Sequence, residues 1–519
     1  MAVFKALVEA RANLDVPDEH RNTALHTLLY RIGELQDAEG MALTIISSGR
    51  ANLDIQTDNG SSALMLATER LQLKLIKALL QSQAKTDLRN VNGDTALTLA
   101  AAQHSAPISQ ELLAAGASVN IANTSGDTAM HLACRSLPAS SSEGKATWQP
   151  DTAQVLLGQS KLRLDAVNTQ GQTALTVLAA TSRWWAAAVE VAAAMAANET
   201  CSFNNLDKEG FTALHYSLGA GPAGPSGLSG LGHGPDMAIH VIKAAKCDVN
   251  VVTRDKDADT ALHRCGRLGL PKVCKALVSR SADANIANAE GLRPLHLAVA
   301  GSTVSHTRVA ELLIGYPRCD VNITVAATGQ MPLLMAVLGC KTPLVERLVK
   351  RGADPNIADK KGDTPLHAAL RILGSVAMVQ ELVARAADLN AEDAGGCTAL
   401  HHAIILDGKQ PGKEFEAIAL SLIEESAGES AALARMMAKD LIESGLADVN
   451  VQRASDLSSP AHFATRMAAM ELLTALIARR ANLGLQDSKG AVVLHLAVKA
   501  ACPDNGSGLK LVQLLLESK

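Results

Sequence analysis

The sequence predicts an all-α fold, a solenoid of stacked helix-turn-helix units with projecting turns. A string of the type Thr-Ala-Leu-His recurs along the 519 residues, at intervals of 33 residues or more. A glycine stands two residues before most copies, and an apolar stretch with helical periodicity follows them. Aromatic residues make up only 2 % of the chain, so Ala and Leu supply much of the 48 % hydrophobic content. That composition suits many short, closely packed helices.

The recurring string defines thirteen anchors, named here by its first residue. Six copies match the string closely, and they begin at Thr23, Thr128, Thr212, Thr260, Thr364 and Thr398. Weaker copies begin at Ser62, Thr95, Thr173, Arg293, Met331, Ser459 and Val492. A period of 33 residues with insertions accounts for every interval, which indicates one continuous array over residues 1–519.

Each part of the unit has a local physical role. The anchor Thr or Ser is expected to cap the first helix, and proline at the following position suits its first turn. Histidine three residues after the anchor stands where a capping box places Glu or Gln. Because this histidine repeats with the period, we expect structural hydrogen bonds from it and neither metal binding nor acid–base chemistry. The glycine before the anchor predicts a turn with positive φ. Three units carry Arg21, Ala258 or Leu457 there and are expected to be distorted or less stable.

The string from Thr364 to Ala369, Thr-Pro-Leu-His-Ala-Ala, resembles the ankyrin repeat, whose pattern is a β-turn and two antiparallel helices carrying T-P-L-H-x-A. The resemblance covers essentially the whole chain. It implies a scaffold or adaptor that binds a partner protein along the projecting turns, or fingers, and the concave surface. Two alternatives stay open. The array could recruit substrates for a larger enzyme, such as a kinase, ubiquitin ligase or acyltransferase, or it could be the cytosolic array of a membrane channel.

Longer intervals between anchors indicate insertions. They are expected at residues 135–150, which are Ser-rich, at 219–235, which are rich in Gly and Pro, and at about 407–430. The sequence leaves open which helix between residues 413 and 444 is the second helix of its unit. Both chain ends fall inside a unit, so we expect the sequence to be a fragment of a longer chain.

Composition and motifs limit the function classes. The formal charge of −4 disfavours a nucleic acid partner. The absence of a signal peptide and of a long apolar run predicts a cytoplasmic protein, with the nucleus as the alternative, and no membrane insertion. The nine cysteines form no CxxC pair, and no catalytic motif stands outside the repeat pattern. We therefore expect no enzyme activity, no cofactor and no metal site.

The candidate partner-binding residues are those that vary between fingers. They are Lys208, Glu209, Phe211, Lys256, Asp257, Asp259, Glu290, Leu292, Lys360, Lys361 and Asp363. Their charges would give specificity, and Phe211 and Leu292 would give apolar contact. A second set consists of Trp148, Trp184 and Trp185, because tryptophan is enriched at binding hot spots. The alternative for the first set is a solvated turn, and for the tryptophans it is cover for the end of a helix pair.

Overall fold

The computed structural model describes residues 8, 10–35, 37–135, 150–181, 186–220, 234–372, 376–407, 438–444, 447–466, 469–501 and 506–518. In these residues the regular structure is helical, apart from three isolated antiparallel bridges. The predicted all-α fold is confirmed. Trp148, Trp184, Trp185 and most of the three predicted insertions lie outside the described residues.

The chain divides into two compact units. The first comprises Met1–Arg264 and Lys272–Ala282. Its helices are α1 (Ala24–Tyr30), α2 (Ala38–Ser47), α3 (Ala63–Glu69), α4 (Leu73–Gln81), α5 (Ala96–Ala102), α6 (Ala106–Ala114), α7 (Ala129–Cys134), α8 (Asp151–Leu157), α9 (Ala174–Thr181), α10 (Ala186–Ala196), α11 (Ala213–Ser217) and α12 (Gly234–Lys243). Helix α13 (Ala261–Leu268) contains the boundary, and most of α14 (Pro271–Ser279) belongs to the first unit.

The second unit comprises Cys265–Pro271 and Asp283–Lys519. Its helices are α15 (Pro294–Ala300), α16 (Val304–Ile314), α17 (Pro332–Leu338), α18 (Thr342–Lys350), α19 (Pro365–Arg371), α20 (Val376–Ala384), α21 (Ala399–Asp407), α22 (Pro460–Arg466), α23 (Met470–Ala478), α24 (Val493–Ala501) and α25 (Gly506–Glu517). Residues 438–443 are also helical. In both units, a helix begins one residue after each anchor.

Packing within each unit follows the repeat. In the first unit the odd-numbered helices α1 to α11 pack on one another in order, and the even-numbered helices α2 to α12 do the same. In the second unit α15, α17, α19, α21, α22 and α24 pack in order. The buried side chains are mostly Leu, Ile, Val and Ala, for example Leu75, Ile76 and Leu79 on α4. Their removal from water is the main stabilising contribution to this stacking.

The anchor and its histidine form the predicted capping box. The Thr364 hydroxyl accepts from the backbone N–H of His367 at 3.4 Å, and Nδ1 of His367 accepts from the N–H of Thr364 at 3.3 Å. Because Nδ1 accepts a hydrogen bond, the ring proton of the neutral histidine resides on Nε2. That proton reaches the following finger in several repeats: Nε2 of His131 donates to the carbonyl of Gln172 at 3.0 Å, and Nε2 of His462 donates to that of Ala491 at 3.0 Å.

The turn glycines adopt the predicted left-handed conformation. The ten glycines that stand two residues before an anchor have φ between 70° and 86°. The replacing residues adopt it as well, with φ of 60° at Arg21, 50° at Ala258 and 55° at Leu457. A side chain with a Cβ is strained there by roughly 1–2 kcal/mol. These turns therefore keep the geometry of the repeat at a cost in conformational energy.

Substituting Ala258→Gly is expected to raise stability by about 1 kcal/mol, because the gain from relieving the left-handed strain exceeds the extra backbone entropy that glycine loses on folding. The urea midpoint of unfolding measures the change. Ala115→Gly is the control, since Ala115 is exposed and has φ of −80°. It should give no gain. An equal response of the two variants would contradict strain at Ala258.

Candidate functional site

Each finger is a short turn closed by its own hydrogen bonds. In the finger 359–363, the backbone N–H of Asp359 donates to the carbonyl of Asp363 at 3.0 Å. The carboxylate oxygen Oδ1 of Asp359 accepts from the N–H groups of Lys361 at 2.8 Å and Asp363 at 3.0 Å. Asn90, Asn123 and Asn168 make the same contacts through their side-chain carbonyls in the first unit. An Asn or Asp at the first finger position thus sets the turn.

Backbone hydrogen bonds also join successive fingers within a unit. In the first unit the N–H of Val91 donates to the carbonyl of Asn59 at 3.0 Å, and that of Lys208 donates to the carbonyl of Gln170 at 2.9 Å. In the second unit Lys360 donates to Thr328 at 3.0 Å, and Ala394 donates to Lys361 at 3.1 Å. These bonds use the backbone of the two residues at the finger tip. The tip side chains are left available for contact.

The structure separates the candidate residues by exposure. The exposed ones are Lys208, Glu209, Lys256, Glu290, Lys360 and Lys361, and Asp257 and Leu292 are half-buried. Phe211, Asp259 and Asp363 are buried, with exposed fractions of 6 %, 1 % and 5 %. All three stand directly before an anchor, as does Leu292. The prediction that these three side chains present a contact surface is therefore corrected.

The burial of Phe211 has a local cause. Its backbone closes the finger on Asp207, with the N–H of Phe211 donating to Oδ1 of Asp207 at 3.0 Å. Its ring packs edge-on against Tyr216, with ring centroids 5.5 Å apart. The Tyr216 hydroxyl donates to Oδ2 of Asp207 at 2.7 Å. Burial and this carboxylate both raise the pKa of Tyr216. Phe211 therefore holds the finger on its helix.

The other two buried residues, Asp363 and Asp259, also contact the finger or its helix. Asp363 forms an ion pair with Arg371 at the end of α19. The backbone N–H of Asp259 donates to the Thr253 hydroxyl at 2.9 Å. A residue that precedes a helix cap lies between finger and helix, which explains why none of these four side chains is fully exposed.

Sequence reasoning missed other exposed tip residues. Val91 is 64 % exposed, and Asn92, Thr124, Ser125, Thr169 and Gln170 are exposed on neighbouring fingers of the first unit. All stand three or four residues before an anchor, as do Lys208, Glu209, Lys360 and Lys361. That spacing, available in the sequence, identifies the tip.

Two further features concern other kinds of site. Within the described ranges, one group of three residues brings potential metal ligands together, namely Asp393, Cys397 and His402. None of the described helices has the length and apolar content needed to cross a bilayer.

Several known proteins are similar to part of the chain. Over 118 residues, 23 % of this chain, it is 33 % identical to Neurogenic locus notch homolog protein 1 of Danio rerio and 32 % identical to its Homo sapiens counterpart. It is 29 % identical over 118 residues to Rabankyrin-5 of Mus musculus. The matches span 5 %, 4 % and 10 % of the length of these relatives, respectively.

A family model matches a larger share of the chain. The model for ankyrin repeats in three copies matches residues 34–123, 64–144, 232–325 and 333–424. Together these ranges make up more than half of the chain, and helix pairs and fingers of the kind described above occur in those of their residues that the structure describes. The chain belongs to the ankyrin-repeat family.

Proposed function

We propose that the chain is a scaffold or adaptor that binds another protein through the exposed tip residues of its fingers. Ankyrin repeats are protein–protein interaction modules and are generally non-catalytic. We propose no reaction for this chain and no cofactor for its interaction surface. The recruitment of substrates to an enzyme and the attachment to a channel are not favoured by any residue described above.

The observation that supports the proposal most is the hydrogen bonding of the tips. Because backbone bonds join successive tips within a unit, a partner meets side chains on backbone that is already ordered. Binding to such a surface loses little conformational entropy.

The chemistry of the tips supports a protein partner over a polyanion. Lys208 and Glu209 place opposite charges side by side, and Glu290 and the pair Lys360–Lys361 give the second unit both signs as well. Val91 adds an exposed apolar side chain in the first unit. Mixed charge around apolar contacts is typical of protein interfaces. We also propose a cytoplasmic location, with the nucleus as the alternative, since all eight cysteines within the described ranges are free thiols.

Photocrosslinking from a tip position tests the proposal. A photoreactive residue at position 361 should capture a partner from native lysate, and one at position 350, an exposed lysine on α18, should not. The captured protein is then purified for binding measurements. Reversing both tip charges, Lys360→Glu with Lys361→Glu, should weaken binding roughly tenfold and reduce its salt dependence, mainly through the association rate.

The matched control reverses two lysines on helices of the same unit, Lys350→Glu with Lys439→Glu. Both are exposed, and each has a glutamate four residues away in an exposed ion pair of small energetic value. Binding should be unchanged in this variant. Equal effects of the two double reversals, or capture from position 350 alone, would place the interface away from the finger tips.

A further inference from the structure

The finger 393–397 differs from its neighbours in the chemistry at its base. Asp393, Cys397 and His402 each offer one potential ligand atom, and these atoms lie within 4.8 Å of one another. A carboxylate, a thiolate and an imidazole are the three ligand types that bind zinc in proteins. The combination of a soft thiolate with an imidazole disfavours Mg²⁺ and Ca²⁺, which prefer oxygen ligands alone.

The positions of the three residues are held by the repeat. Asp393 and Cys397 are the first and last residues of one finger, and Oδ1 of Asp393 accepts from the N–H of Cys397 at 2.9 Å. His402 lies on α21, and its N–H donates to the carbonyl of Thr398 at 3.2 Å. Nε2 of His402 donates to Oδ2 of Asp393 at 2.8 Å. Finger and helix therefore meet through side chains that are also potential metal ligands.

The preceding finger, 359–363, lacks two of the three potential ligands. Asp359 is the counterpart of Asp393, but Asp363 stands where this finger has Cys397, and Ala368 stands where it has His402. Asp363 is neutralised by its ion pair with Arg371. The repeat alone thus requires neither a thiol nor a second histidine at these positions.

The surroundings suit a bound cation. Asp393 and His402 have side chains 11 % and 13 % exposed, so the cluster is sheltered but open to solvent. One nearby cation is Arg453, whose Nη1 lies 3.8 Å from Sγ of Cys397. Its charge is compensated by Asp456, with contacts of 3.0 Å and 2.7 Å from Nε and Nη2 to the two carboxylate oxygens.

We propose that Asp393, Cys397 and His402 form a binding site for Zn²⁺, with a fourth coordination position open to water or an external ligand. The sequence predicts no metal site, because most of its histidines share one repeat position. Two N or O ligands at about 2.0–2.1 Å from a tetrahedral ion lie about 3.3 Å apart. On binding, the contact between Asp393 and His402 opens by about half an ångström, and the imidazole proton moves from Nε2 to Nδ1 so that the neutral ring can bind the metal through Nε2. The Cys397 thiol releases its proton to solvent and binds as the thiolate.

The test uses the full chain, freed of metal, with Co²⁺ as a spectroscopic probe and Zn²⁺ as competitor. We expect one Co²⁺ per chain, with visible bands of tetrahedral coordination and a thiolate charge-transfer absorption that Zn²⁺ removes. Cys397→Ser should abolish the charge-transfer absorption, and both Cys397→Ser and His402→Ala should weaken Zn²⁺ binding at least about tenfold.

Cys340→Ser is the matched control, because Cys340 is an exposed cysteine in the same unit. Its Co²⁺ spectrum should equal that of the unaltered chain. His402→Ala reproduces the residue of the preceding repeat, so this variant should fold, as circular dichroism would show. The proposal is overturned if the unaltered chain shows no thiolate absorption, or if the absorption survives in Cys397→Ser.

Discussion

Substituting Gly362→Ala will destabilise the second unit strongly. Gly362 has φ of +76°, and a Cβ there would lie 2.8 Å from the backbone nitrogen of Ala394 and 3.1 Å from the carbonyl carbon of Asp393. The left-handed conformation costs a non-glycine residue about 1–2 kcal/mol, and displacing the neighbouring finger adds about 1–3 kcal/mol. The urea midpoint of unfolding should fall accordingly. Hydrogen exchange at the amide of Ala394 should accelerate, because this amide donates to Lys361 in the distorted contact.

Gly490→Ala separates the two contributions. Gly490 occupies the same finger position with φ of +73°, but no described heavy atom lies within 4 Å of its Cβ position. Its substitution by alanine should lower the free energy of unfolding only by the cost of the left-handed conformation, about 1–2 kcal/mol. Equal losses in the two variants would show that contact between fingers contributes nothing measurable to the stability of the unit.

Acidification will destabilise both units through the repeat histidines. Burial is the main factor that lowers the pKa of His215 to about 4 and that of His401 to about 4. An unfolded histidine titrates near 6.5. Between these values the unfolded chain binds more protons, so stability is complete above about pH 6.5 and is lost as pH falls toward 4. Each of these two histidines should account for roughly 3 kcal/mol of that loss.

The measurement is the urea midpoint of unfolding at a series of pH values from 7 to 4. His215→Gln and His401→Gln are the informative variants, because glutamine keeps an acceptor for the capping box and does not titrate. Each should make the midpoint less sensitive to pH over this window. An unaltered slope in both variants would mean that carboxylates, and not these histidines, govern the acid response.

The features that repeat could be predicted from sequence, because each follows from local chemistry. Thr212 and His215 form the expected capping box, and Gly210 has the expected positive φ. Phe211 could not be placed in this way. An aromatic residue in a polar turn suggests an exposed anchor, but its burial depends on the ring of Tyr216 and the carboxylate of Asp207, which only the fold brings together.

The cluster around His402 was missed for a related reason. Periodicity predicts a structural role for His401, which occupies the repeat position. It predicts no role for His402, which lies outside that position. Asp393 lies nine residues before His402, and Arg453 lies 56 residues after Cys397. Asp393 reaches His402 because the finger packs on α21 of its own repeat, and Arg453 belongs to the following repeat. The contacts of residues that depart from the repeat are therefore the ones that the structure shows and the sequence pattern does not predict.

The hydrogen bonds between finger tips have a consequence for how this chain can change. They involve the backbone N–H and carbonyl groups of residues such as Lys360 and Lys361, and these groups are common to almost every amino acid. A tip residue can therefore be exchanged without loss of the bonds that order it, with proline at a donor position as the exception. Affinity for a partner can be altered one tip at a time while the free energy of folding stays nearly constant. New binding specificities can arise on such a chain through single substitutions, with no compensating change in its core.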